Sequence, residues 1–411
     1  MSTRDIVLLT VDSWRYDTTH LTPNLSDRLP DQGEVICSGA ATNWVFPSIL
    51  SGMYYPNAYT RSGDLRSDIT SLPQILSDVG YSTAGFVANN PYVAKWDSHF
   101  DRFWNGGMAS DSDEWYSSTF EKWVSRGYRT ALFKKRTAGS EVADKARLWY
   151  HNQSQPRFLW LHLMEPHLPY YPGLKKAADV GLLKSYNSIV SYQRNGDDTS
   201  PEHMKIQREL YEKCVERFDD YVPDLLDFVD DDAIVIALGD HGEEFDHGHF
   251  DHERLYDECV RVPLFTKNCS RMSGDDSVRQ VDIAPTLLAE LSLNIHTEWD
   301  GETHRQGHTE PAMMITPQPG PNLLHIGIRT AKQKLIKSFD RDTGEVVRSE
   351  LYDLVKDPAE TENLYDSQPV GELEARLDDF VAEHEAALDI DAATGIQSDA
   401  VASRLENLGY K

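Results

Sequence analysis

The densest group of residues able to carry out chemistry lies at positions 239–258, with the sequence GDHGEEFDHGHFDHERLYDE. Asp240 and His241 come directly after the apolar run AIVIALG, and His247 and His252 follow a few residues later. Carboxylate oxygens and imidazole nitrogens together bind Zn, Mn, Mg or Ca, and the choice depends on geometry. An isolated Asp-His pair often belongs to a solvated loop. The end of a buried strand followed by HGEE favours a metal site instead.

Two further candidates are isolated in the sequence. Asp12 ends the apolar run of DIVLLTVDS, where an Asp is either a metal ligand or the N-cap of the next helix. His167 lies in MEPHLPYYP, and a lone His is more often a structural group than a functional one. The prolines on both sides of His167 restrict its backbone, which suits a side chain positioned to bind an anion. The residue types by themselves leave both interpretations open.

Four apolar runs end in these polar residues, and they indicate how the candidates are brought together. DIVLLTVDS, STAGFVANN, RFLWLHLMEPH and AIVIALGDHGEE read as strands buried on both faces, as in a parallel sheet. Helical patterns lie between them at positions 71–80 and 209–229. Alternating strands and helices predict a doubly wound α/β fold with a mostly parallel sheet between helices. In such sheets the ligand site lies beyond the carboxyl ends of the strands, so all four ends would face one crevice.

The chain is predicted to contain three regions. Positions 1–310 form an α/β domain that contains all the candidate residues, and it ends with a core helix at 281–293 and a polar, Pro/Gly-rich stretch. Positions 311–370 contain the strand-like segments LLHIGIRT, QKLIKSFD and EVVRSELYDL, which predict a small antiparallel subdomain. Positions 371–411 form an acidic, Ala-rich and helical tail.

The composition restricts the partners of the protein. Its 411 residues include 67 acidic and 40 basic side chains, for a formal net charge of −27. This balance argues against nucleic acid or an anionic membrane surface as a partner, because both require basic patches. Such a charge suits a halophilic source, in which salt screens the repulsion. The oligomeric state is not specified by any pattern.

The four cysteines and the N-terminus indicate the compartment. Cys37, Cys214, Cys259 and Cys269 are scattered without a CxxC motif, so reduced thiols are expected. The N-terminal apolar run is too short for a signal peptide and reads as the first core strand. No later segment has the roughly 18 apolar residues that a membrane span requires. We therefore expect a cytoplasmic protein.

These segments together resemble the sulfatase family of the alkaline phosphatase superfamily. The matching motifs occur in family order and cover most of positions 4–365: VLLTVDSWRYDTTHLTPNL, LSGMYYP, LPQILSDVGYSTAGFVANNPYV, FLWLHLMEPHLPY, IVIALGDHGEEFDHGHFDHERLYDECVRVPLF, VDIAPTLL and ELYDLVKDPAETENL. The resemblance implies an alkaline-phosphatase-like fold, and the acidic composition favours a halophilic archaeon as the source. It also implies a divalent metal cation (Ca, Mg, Mn or Zn) held by Asp12, Asp240 and His241, with the nucleophile between the metal and the substrate.

The resemblance also implies which residues contact the substrate. His167 and His252 match positions that contact the oxygens of the transferred group or protonate the leaving oxygen. His247 competes with His252 for the latter role, because the loop is shorter than in many relatives. Asn89 or Asn90 could also reach the anion. Where many sulfatases have a second Asp after the first, this chain has Ser13, which weakens the case for an all-carboxylate Ca site.

The nucleophile is sought in the loop ATNWVFPSILSGMYYP, positions 41–56, where two registers compete. In relatives, a Cys, Ser or Thr precedes x-Pro-Ser-Arg, and a Gly follows ten positions after the nucleophile. Alignment on Pro47 and Ser48 places Val45 at the nucleophile position and predicts an inactive protein. Counting back from Gly52 places Thr42 there without a gap. We prefer Thr42, which keeps the backbone length of a loop whose geometry must be tightly held. As the nucleophile beside the metal, Thr42 would also be a ligand of the cation, together with Asp12, Asp240 and His241.

This assignment predicts the chemistry. Formylglycine is unlikely, because Thr would yield a ketone and the guiding Ser and Arg of the modification motif are absent. A plain Thr42 alkoxide suits phosphodiester or phosphonate chemistry at least as well as sulfuric ester hydrolysis, because a sulfated threonine has no hydroxyl left to expel sulfate. The substrate would be a small anionic ester: a sulfated or phosphorylated glycan, lipid or metabolite. The alternative is a catalytically silent protein that binds an anionic glycan or lipid head group.

Overall fold

The computed structural model describes residues 4–60, 62–106, 119–272, 277–305, 310–384 and 388. Twelve strands are described in these ranges: β1 (Ile6–Val11), β2 (Asp31–Ile36), β3 (Ser82–Val87), β4 (Arg102–Asn105), β5 (Arg157–Leu163), β6 (Ile234–Gly239), β7 (Arg261–Lys267), β8 (Val278–Arg279), β9 (Ala312–Gln318), β10 (Leu323–Arg329), β11 (Gln333–Asp340) and β12 (Val346–Asp353).

The α-helices of the same ranges are α1 (Pro23–Arg28), α2 (Thr42–Ser51), α3 (Tyr55–Ala58), α4 (Leu72–Asp78), α5 (Thr119–Leu132), α6 (Gly139–Asn152), α7 (Leu174–Val180), α8 (Leu182–Asn195), α9 (Pro201–Leu226), α10 (Asp257–Val260), α11 (Ile283–Glu290) and α12 (Glu372–His384). The helix predicted over 209–229 is thus the second half of the longer α9. The predicted tail at 371–411 begins with α12, and its remainder lies outside the described residues apart from residue 388.

The large sheet has eight strands in the order β4-β3-β5-β1-β6-β7-β2-β8. The five strands β4, β3, β5, β1 and β6 are parallel, and only β7 runs against its neighbours. The central position of β1 follows from its composition, because IVLLTV is apolar on both faces and is completely buried. The predicted α/β fold with a mostly parallel sheet is confirmed.

Both faces of the large sheet are covered. Alternate residues of β1 belong to two apolar cores: Ile6 and Leu8 to one, Val7, Leu9 and Val11 to the other. The first core includes residues of α2, α4 and α11, and the second includes residues of α6 and α9. This two-sided burial leaves the ends of the strands as the region where polar side chains can gather.

The small sheet is antiparallel, with the order β12-β11-β10-β9, as the C-terminal pattern predicts. Its first strand, Ala312–Gln318, was missed, because AMMITPQ lies inside a segment interpreted as a polar linker. Met314 and Ile326 of this sheet belong to the same apolar core as Ile6 and Leu8. The division of the chain at residue 310 stays a prediction.

None of the helices in the part of the chain that the structure describes combines the length and the apolar character that a membrane span requires.

Candidate active site

The register of three parallel strands places Asp12 beside Asp240. Val11, the last residue of β1, is aligned with Leu163 of β5 and with Gly239 of β6. The ladder continues one step further, because the Asp240 amide donates to the Val11 carbonyl at 3.1 Å. The predicted convergence of strand ends therefore brings the two carboxylates together.

Ser13 ties the two aspartates to each other. Its backbone N–H donates to Asp240 Oδ1 at 3.2 Å, and its hydroxyl donates to Asp12 Oδ1 at 3.0 Å. The residue has a φ of 59°, a left-handed conformation that costs free energy for a non-glycine residue. The Tyr211 hydroxyl, which donates to the Ser13 carbonyl at 2.8 Å, helps to hold this turn. Asp12 is not a helix N-cap, since Arg15 has that position for the 3-10 helix that follows.

The turn after β6 positions His241. Its backbone N–H donates to Asp240 Oδ1 at 2.7 Å, so Oδ1 accepts from both His241 and Ser13. Asp240 Oδ2 is buried and has no hydrogen-bond partner in the described structure. The next residue must be glycine, because a Cβ on Gly242 would overlap the carbonyl oxygen of Glu258. A buried carboxylate oxygen without a hydrogen-bond partner at a functional crevice is suited to bind a cation.

Thr42 is the first residue of α2, and its hydroxyl faces the aspartate pair. Thr42 Oγ1 lies 3.3 Å from Asp12 Oδ2 and 3.3 Å from His241 Nε2. The N-terminus of a helix carries partial positive charge, which stabilises an anion bound there. The structure therefore brings together the four residues predicted to bind the metal.

The rest of the loop is held by packing. Ser48 is buried, and its hydroxyl donates to the Met53 carbonyl at 3.0 Å. This hydroxyl therefore stabilises the turn that follows α2. Val45 belongs to the apolar core. The helix ends at Gly52, whose φ of 57° favours glycine. These contacts agree with the register that selects Thr42.

His167 and His241 direct one ring nitrogen toward Asp12. The Nδ1 atoms lie 2.5 Å from the Leu168 carbonyl and 2.9 Å from the Gly242 carbonyl, and a carbonyl can only accept. Nδ1 of each ring therefore carries the hydrogen. In the neutral rings the Nε2 lone pairs lie 3.9 Å and 3.8 Å from Asp12 Oδ1.

His162, the last residue but one of the run RFLWLHL, is a third imidazole at Asp12 that sequence reasoning missed. Its Nε2 lies 3.7 Å from Asp12 Oδ2. Its Nδ1 lies 2.8 Å from Thr10 Oγ1, which donates its own hydrogen to the Leu161 carbonyl. In this arrangement of the Thr10 hydrogen, Nδ1 donates to Thr10 Oγ1 and the Nε2 lone pair faces the carboxylate. The available signal was a buried His at a strand end adjoining the strand of Asp12.

The two aspartates titrate differently. Burial by itself raises the pKa of Asp12, but His167, His162 and His241 lower it by more, so its pKa falls below the usual range. The pKa of Asp240 is raised well above its usual value, chiefly by burial and then by the negative charge of Asp12. Two adjacent carboxylates in a dry site cannot both ionise without a compensating cation.

The donor set fits a divalent metal. Asp12, His162 and Asp240 each offer a ligand atom within 4.8 Å of the others, and His241 Nε2 lies 3.8 Å from both Asp12 Oδ1 and Asp240 Oδ2. Burial lowers the pKa of His167 to about 3 and that of His241 to about 4, so both rings are neutral at pH 7. Neutral imidazoles and carboxylates are the ligands that Zn and Mn sites use.

The surroundings of His252 favour its charged form. Its Nδ1 lies 2.9 Å from Asp251 Oδ1 and 3.3 Å from Glu243 Oε1. Burial lowers its pKa, but Asp251 and Glu243 outweigh this effect, so the pKa of His252 is raised well above the usual value. Its ring centre lies 4.4 Å from that of His241 and 5.4 Å from that of His167. The raised pKa favours the protonated form of His252, and an imidazolium can donate to an anionic oxygen.

His247 is located differently from the prediction that it contacts substrate. Its Nδ1 lies 2.5 Å from Glu258 Oε1, and its Nε2 lies 3.0 Å from the Ala359 carbonyl. The ring stacks on Tyr256 with centroids 3.8 Å apart. Because both nitrogens bind protein groups, His247 joins its loop to the C-terminal region. Of the two histidines considered for protonation of the leaving oxygen, His252 is therefore the better candidate.

The neighbouring asparagines have different surroundings. Asn90 Nδ2 lies 3.1 Å from Asp12 Oδ2 and 3.2 Å from His162 Nε2, and its Oδ1 accepts from the Tyr92 amide at 3.0 Å. Asn89 has a φ of 59° and faces a cavity beside His167. Asn90 thus contacts the metal-binding group, and the predicted contact between Asn89 and substrate stays a prediction.

Comparisons with known proteins agree with this arrangement. A family model described as Sulfatase matches residues 4–292. The N-acetylglucosamine-6-O-sulfatase of Bacteroides thetaiotaomicron is 27% identical over 153 residues, which cover 33% of this chain and 27% of that protein. The match therefore spans much less than two thirds of that relative's length.

Solved structures show the same fold. One, in complex with its substrate D-glucosamine-2-N,6-O-disulfate, has a TM-score of 0.70 and 17% identity, with 95% of this chain and 99% of that chain covered. The phosphonate monoester hydrolase of Agrobacterium radiobacter has a TM-score of 0.66 and 17% identity, with 93% and 95% covered. At these identities the likeness shows a common fold alone.

Proposed function

Since the chain belongs to the sulfatase family, we propose that it is a metal-dependent hydrolase of sulfate or phosphate esters in which Thr42 is the nucleophile. The observation that carries this proposal is the position of Thr42 Oγ1, 3.3 Å from both Asp12 Oδ2 and His241 Nε2. A nucleophile must adjoin both the group that activates it and the site of the transferred atom.

A divalent cation (Ca, Mg, Mn or Zn) held by Asp12, Asp240, His241 and Thr42 would lower the pKa of the Thr42 hydroxyl and offset charge on the transferred oxygens. Neighbouring residues hold the proposed metal ligands in place. Asp12 and Asp240 are held by Ser13, and His241 is held by its Nδ1 contact with the Gly242 carbonyl. The N-terminus of α2 stabilises negative charge on Thr42.

The reaction would proceed in two displacements. Thr42, having lost its hydroxyl proton to solvent, forms an Oγ–P bond while the bond from phosphorus to the ester oxygen breaks. His252 donates its proton to that leaving oxygen. A water then attacks the phosphorus, returns one proton to His252 and releases Thr42 as the Oγ–P bond breaks. His167, at 3.9 Å from Asp12 Oδ1, is proposed to lie beside the transferred oxygens.

For the substrate, we propose that a phosphodiester or a phosphonate ester suits this site at least as well as a sulfuric ester does. The Thr42 hydroxyl lacks the second oxygen with which a formylglycine hydrate expels sulfate. The fold is found both in a protein in complex with its substrate D-glucosamine-2-N,6-O-disulfate and in a phosphonate monoester hydrolase. The substrate class we propose is therefore a small anionic ester, such as a glycan, lipid or metabolite. A cytoplasmic location and a halophilic source stay predictions from the composition.

A substrate panel tests this function. Aryl sulfate, aryl phosphate, bis-aryl phosphate and aryl phosphonate esters are assayed with Mg, Mn, Ca and Zn, for the natural chain and Thr42→Ala. We expect turnover of at least one ester by the natural chain, lost in Thr42→Ala. Metal binding without turnover of any ester would indicate the alternative function, a silent protein that binds anions. Mass spectrometry of the peptide containing Thr42 would detect any modification of this residue.

A further inference from the structure

The loop at positions 240–256, between β6 and α10, ends at a buried cluster of charges. Asp257, the first residue of α10, is contacted by two basic residues of the small sheet. Arg329 donates to both carboxylate oxygens of Asp257, at 2.9 and 2.7 Å, and Lys334 Nζ lies 2.5 Å from Oδ1. Lys334 Nζ also lies 2.7 Å from Glu360 Oε1. These four residues form the Asp257 cluster, which joins the small sheet to the end of the loop.

Glu360 belongs to the motif ELYDLVKDPAETENL, positions 350–364, to which the proposed reaction assigns no role. Glu360 is buried, and its Oε2 accepts the backbone amide of Asp257 at 2.5 Å. Its φ of 53° is left-handed, a conformation that a non-glycine residue keeps only where its surroundings hold it. Asp357 Oδ2 accepts two backbone amides of the residues after Glu360, at 2.7 and 2.8 Å, and closes the turn. The motif therefore forms a fixed turn that directs Glu360 to the start of α10.

The charges of the Asp257 cluster are balanced, with two carboxylates facing two cations. The Lys334 side chain is completely buried. Burial by itself raises the pKa of Asp257, but Lys334 and then Arg329 lower it by more, so this pKa falls below the usual range. Removal of one partner from a buried ion pair leaves an uncompensated charge, which is strongly unfavourable. The position of Asp257 therefore depends on each member of the cluster.

Glu258, the residue after Asp257, connects the cluster to His252. Its Oε2 accepts two backbone amides of the loop, at 2.7 and 3.0 Å, and its carbonyl accepts the amide of Glu243 at 3.1 Å. Glu243 Oε1 in turn lies 3.3 Å from His252 Nδ1. A displacement of Asp257 would therefore move the backbone on which Glu243 holds the imidazole.

The C-terminal region also contacts the loop directly. The contacts include Lys334 Nζ with the Leu255 carbonyl at 2.9 Å, the Tyr256 hydroxyl with Glu350 Oε1 at 3.0 Å, and His247 Nε2 with the Ala359 carbonyl at 3.0 Å. Asp12 and Asp240, by contrast, are held by Ser13 and by the ladder between β1 and β6. The large sheet thus positions the two aspartates, and the C-terminal region holds the loop that carries His252.

We infer that Lys334 and Glu360 are positioning residues for His252, because they hold Asp257 and the loop so that the imidazole stands where it can protonate the leaving oxygen. The role of His252 as the acid rests on the proposed function. The new element is that this acid depends on the small C-terminal sheet and on the motif ELYDLVKDPAETENL. Catalytic groups commonly require such a supporting layer, since small displacements lower the rate.

Hydrogen exchange tests the hold on the loop independently of turnover. Lys334→Met removes the ammonium and keeps the length of the side chain. Backbone amides at positions 242–256 should exchange about tenfold faster or more in this variant, because a hydrogen bond to a buried charged group is worth at least that factor. Lys332→Met is the matched control, since Lys332 is exposed two residues earlier in the chain. Mass spectrometry of peptides from the loop measures the exchange, and peptides from β1 serve as the internal reference.

The leaving group of the ester tests the position of His252. A 4-nitrophenyl ester releases a stable anion that needs no proton, whereas the matching phenyl ester needs one. Lys334→Met should lower kcat/KM for the phenyl ester at least about tenfold more than for the 4-nitrophenyl ester, since a general acid contributes about a hundredfold or more. A purely structural loss of active protein would lower both values equally. The affinity for Zn or Mn should be unchanged, because the two aspartates lie on the large sheet.

A double variant preserves the test if Lys334→Met folds poorly. Lys334→Met combined with Glu360→Gln removes one charge of each sign, so no buried carboxylate is left uncompensated. Asp257 keeps its pair with Arg329, while the contact with the Leu255 carbonyl is lost. This variant should show the same faster exchange and the same dependence on the leaving group. Circular dichroism and the melting temperature verify folding of each variant.

Loop exchange that is the same in the natural chain and both Lys334 variants, or an equal loss of kcat/KM for the two esters, would overturn the inference. If the natural chain cleaves no ester, the proposed hydrolase function fails, and the exchange data still decide whether Lys334 holds the loop. If it cleaves esters and the exchange is unchanged by the variants, the hydrolase function stands and the inference fails.

Discussion

Thr42 Oγ1 lies 3.3 Å from Asp12 Oδ2, although the two residues are 30 positions apart and belong to different elements. Thr42 begins a helix, whereas Asp12 follows the central strand of the sheet. The contact joins the positive end of the helix to the acidic group at the strand ends, and it places a hydroxyl where a cation and an anionic ester would meet.

Thr42→Ala should lower kcat by about a thousandfold or more, because removal of a nucleophile leaves only the contribution of binding and of the surrounding charges. The loss is measured by steady-state kinetics on the best ester of the panel. Thr42→Ser keeps the hydroxyl and should retain turnover.

Ser48→Ala is the matched control within the same helix. It removes a buried hydrogen bond to the Met53 carbonyl and should lower the free energy of unfolding by about 1–3 kcal/mol. The turnover of the folded protein should be unchanged. A loss of turnover in Ser48→Ala, with Thr42→Ala still active, would reverse the assignment of the nucleophile.

His162→Gln should weaken the affinity for Zn or Mn by about tenfold or more, since loss of groups that support a metal commonly has this effect. The reason is that the His162 Nε2 lone pair lies 3.7 Å from Asp12 Oδ2. Competition with a chelating dye measures the affinity. His151→Gln, on the surface helix α6, is the control. Unchanged affinity would mean that Asn90, at 3.2 Å, holds this lone pair and that His162 is structural.

Metal binding should release a proton, because the pKa of Asp240 is raised well above its usual value by burial and by Asp12. The cation displaces that proton, so affinity should increase with pH until the pH exceeds the raised pKa. Calorimetry in two buffers of different ionisation enthalpy counts the released protons. Asp240→Asn should bind metal weakly and without this release, and an equal release by the variant would assign the proton to another group.

The alkaline limb of the pH profile should belong to His252. The pKa of His252 is raised, chiefly by Asp251 and then by Glu243, against the effect of burial. Protonated His252 is the active form, so kcat/KM should fall as the pH rises through this pKa.

Glu243→Gln removes one of the two carboxylates and should shift that limb to lower pH. Glu253→Gln is the control, because Glu253 pairs with His249 at 3.3 Å in the same loop. The pH dependence of kcat/KM for the three proteins is the measurement. An alkaline limb that is the same in all three would exclude His252 as its source.

The strands of the large sheet were predictable because burial on both faces requires uninterrupted apolar runs. β1, β3, β5 and β6 all follow this pattern, and polar residues mark where they end. β9 was missed because the sequence around it is rich in Pro and Gly and gives no strand pattern. The strand is stabilised by its hydrogen bonds to β10. Long-range pairing of this kind leaves no local signal.

The metal-binding residues were identified from strand ends and from the resemblance to a family. His162 reveals what this procedure lacks. His162 lies inside an apolar run and resembles a core residue until the register of β1 with β5 places it across from Thr10. Its lone pair is directed by the Thr10 hydroxyl, which no spacing rule connects to it.

The sequence by itself determined the class of fold and the residues that can bind a cation, because apolar periodicity and side-chain chemistry are local properties. Only the tertiary structure decided which imidazoles face Asp12, that both nitrogens of His247 bind protein groups while the pKa of His252 is raised, and that Lys334 is buried beside Asp257 at the end of the loop. These outcomes depend on burial and on distances between residues far apart in the chain. Such quantities exist only once the strands and helices are packed.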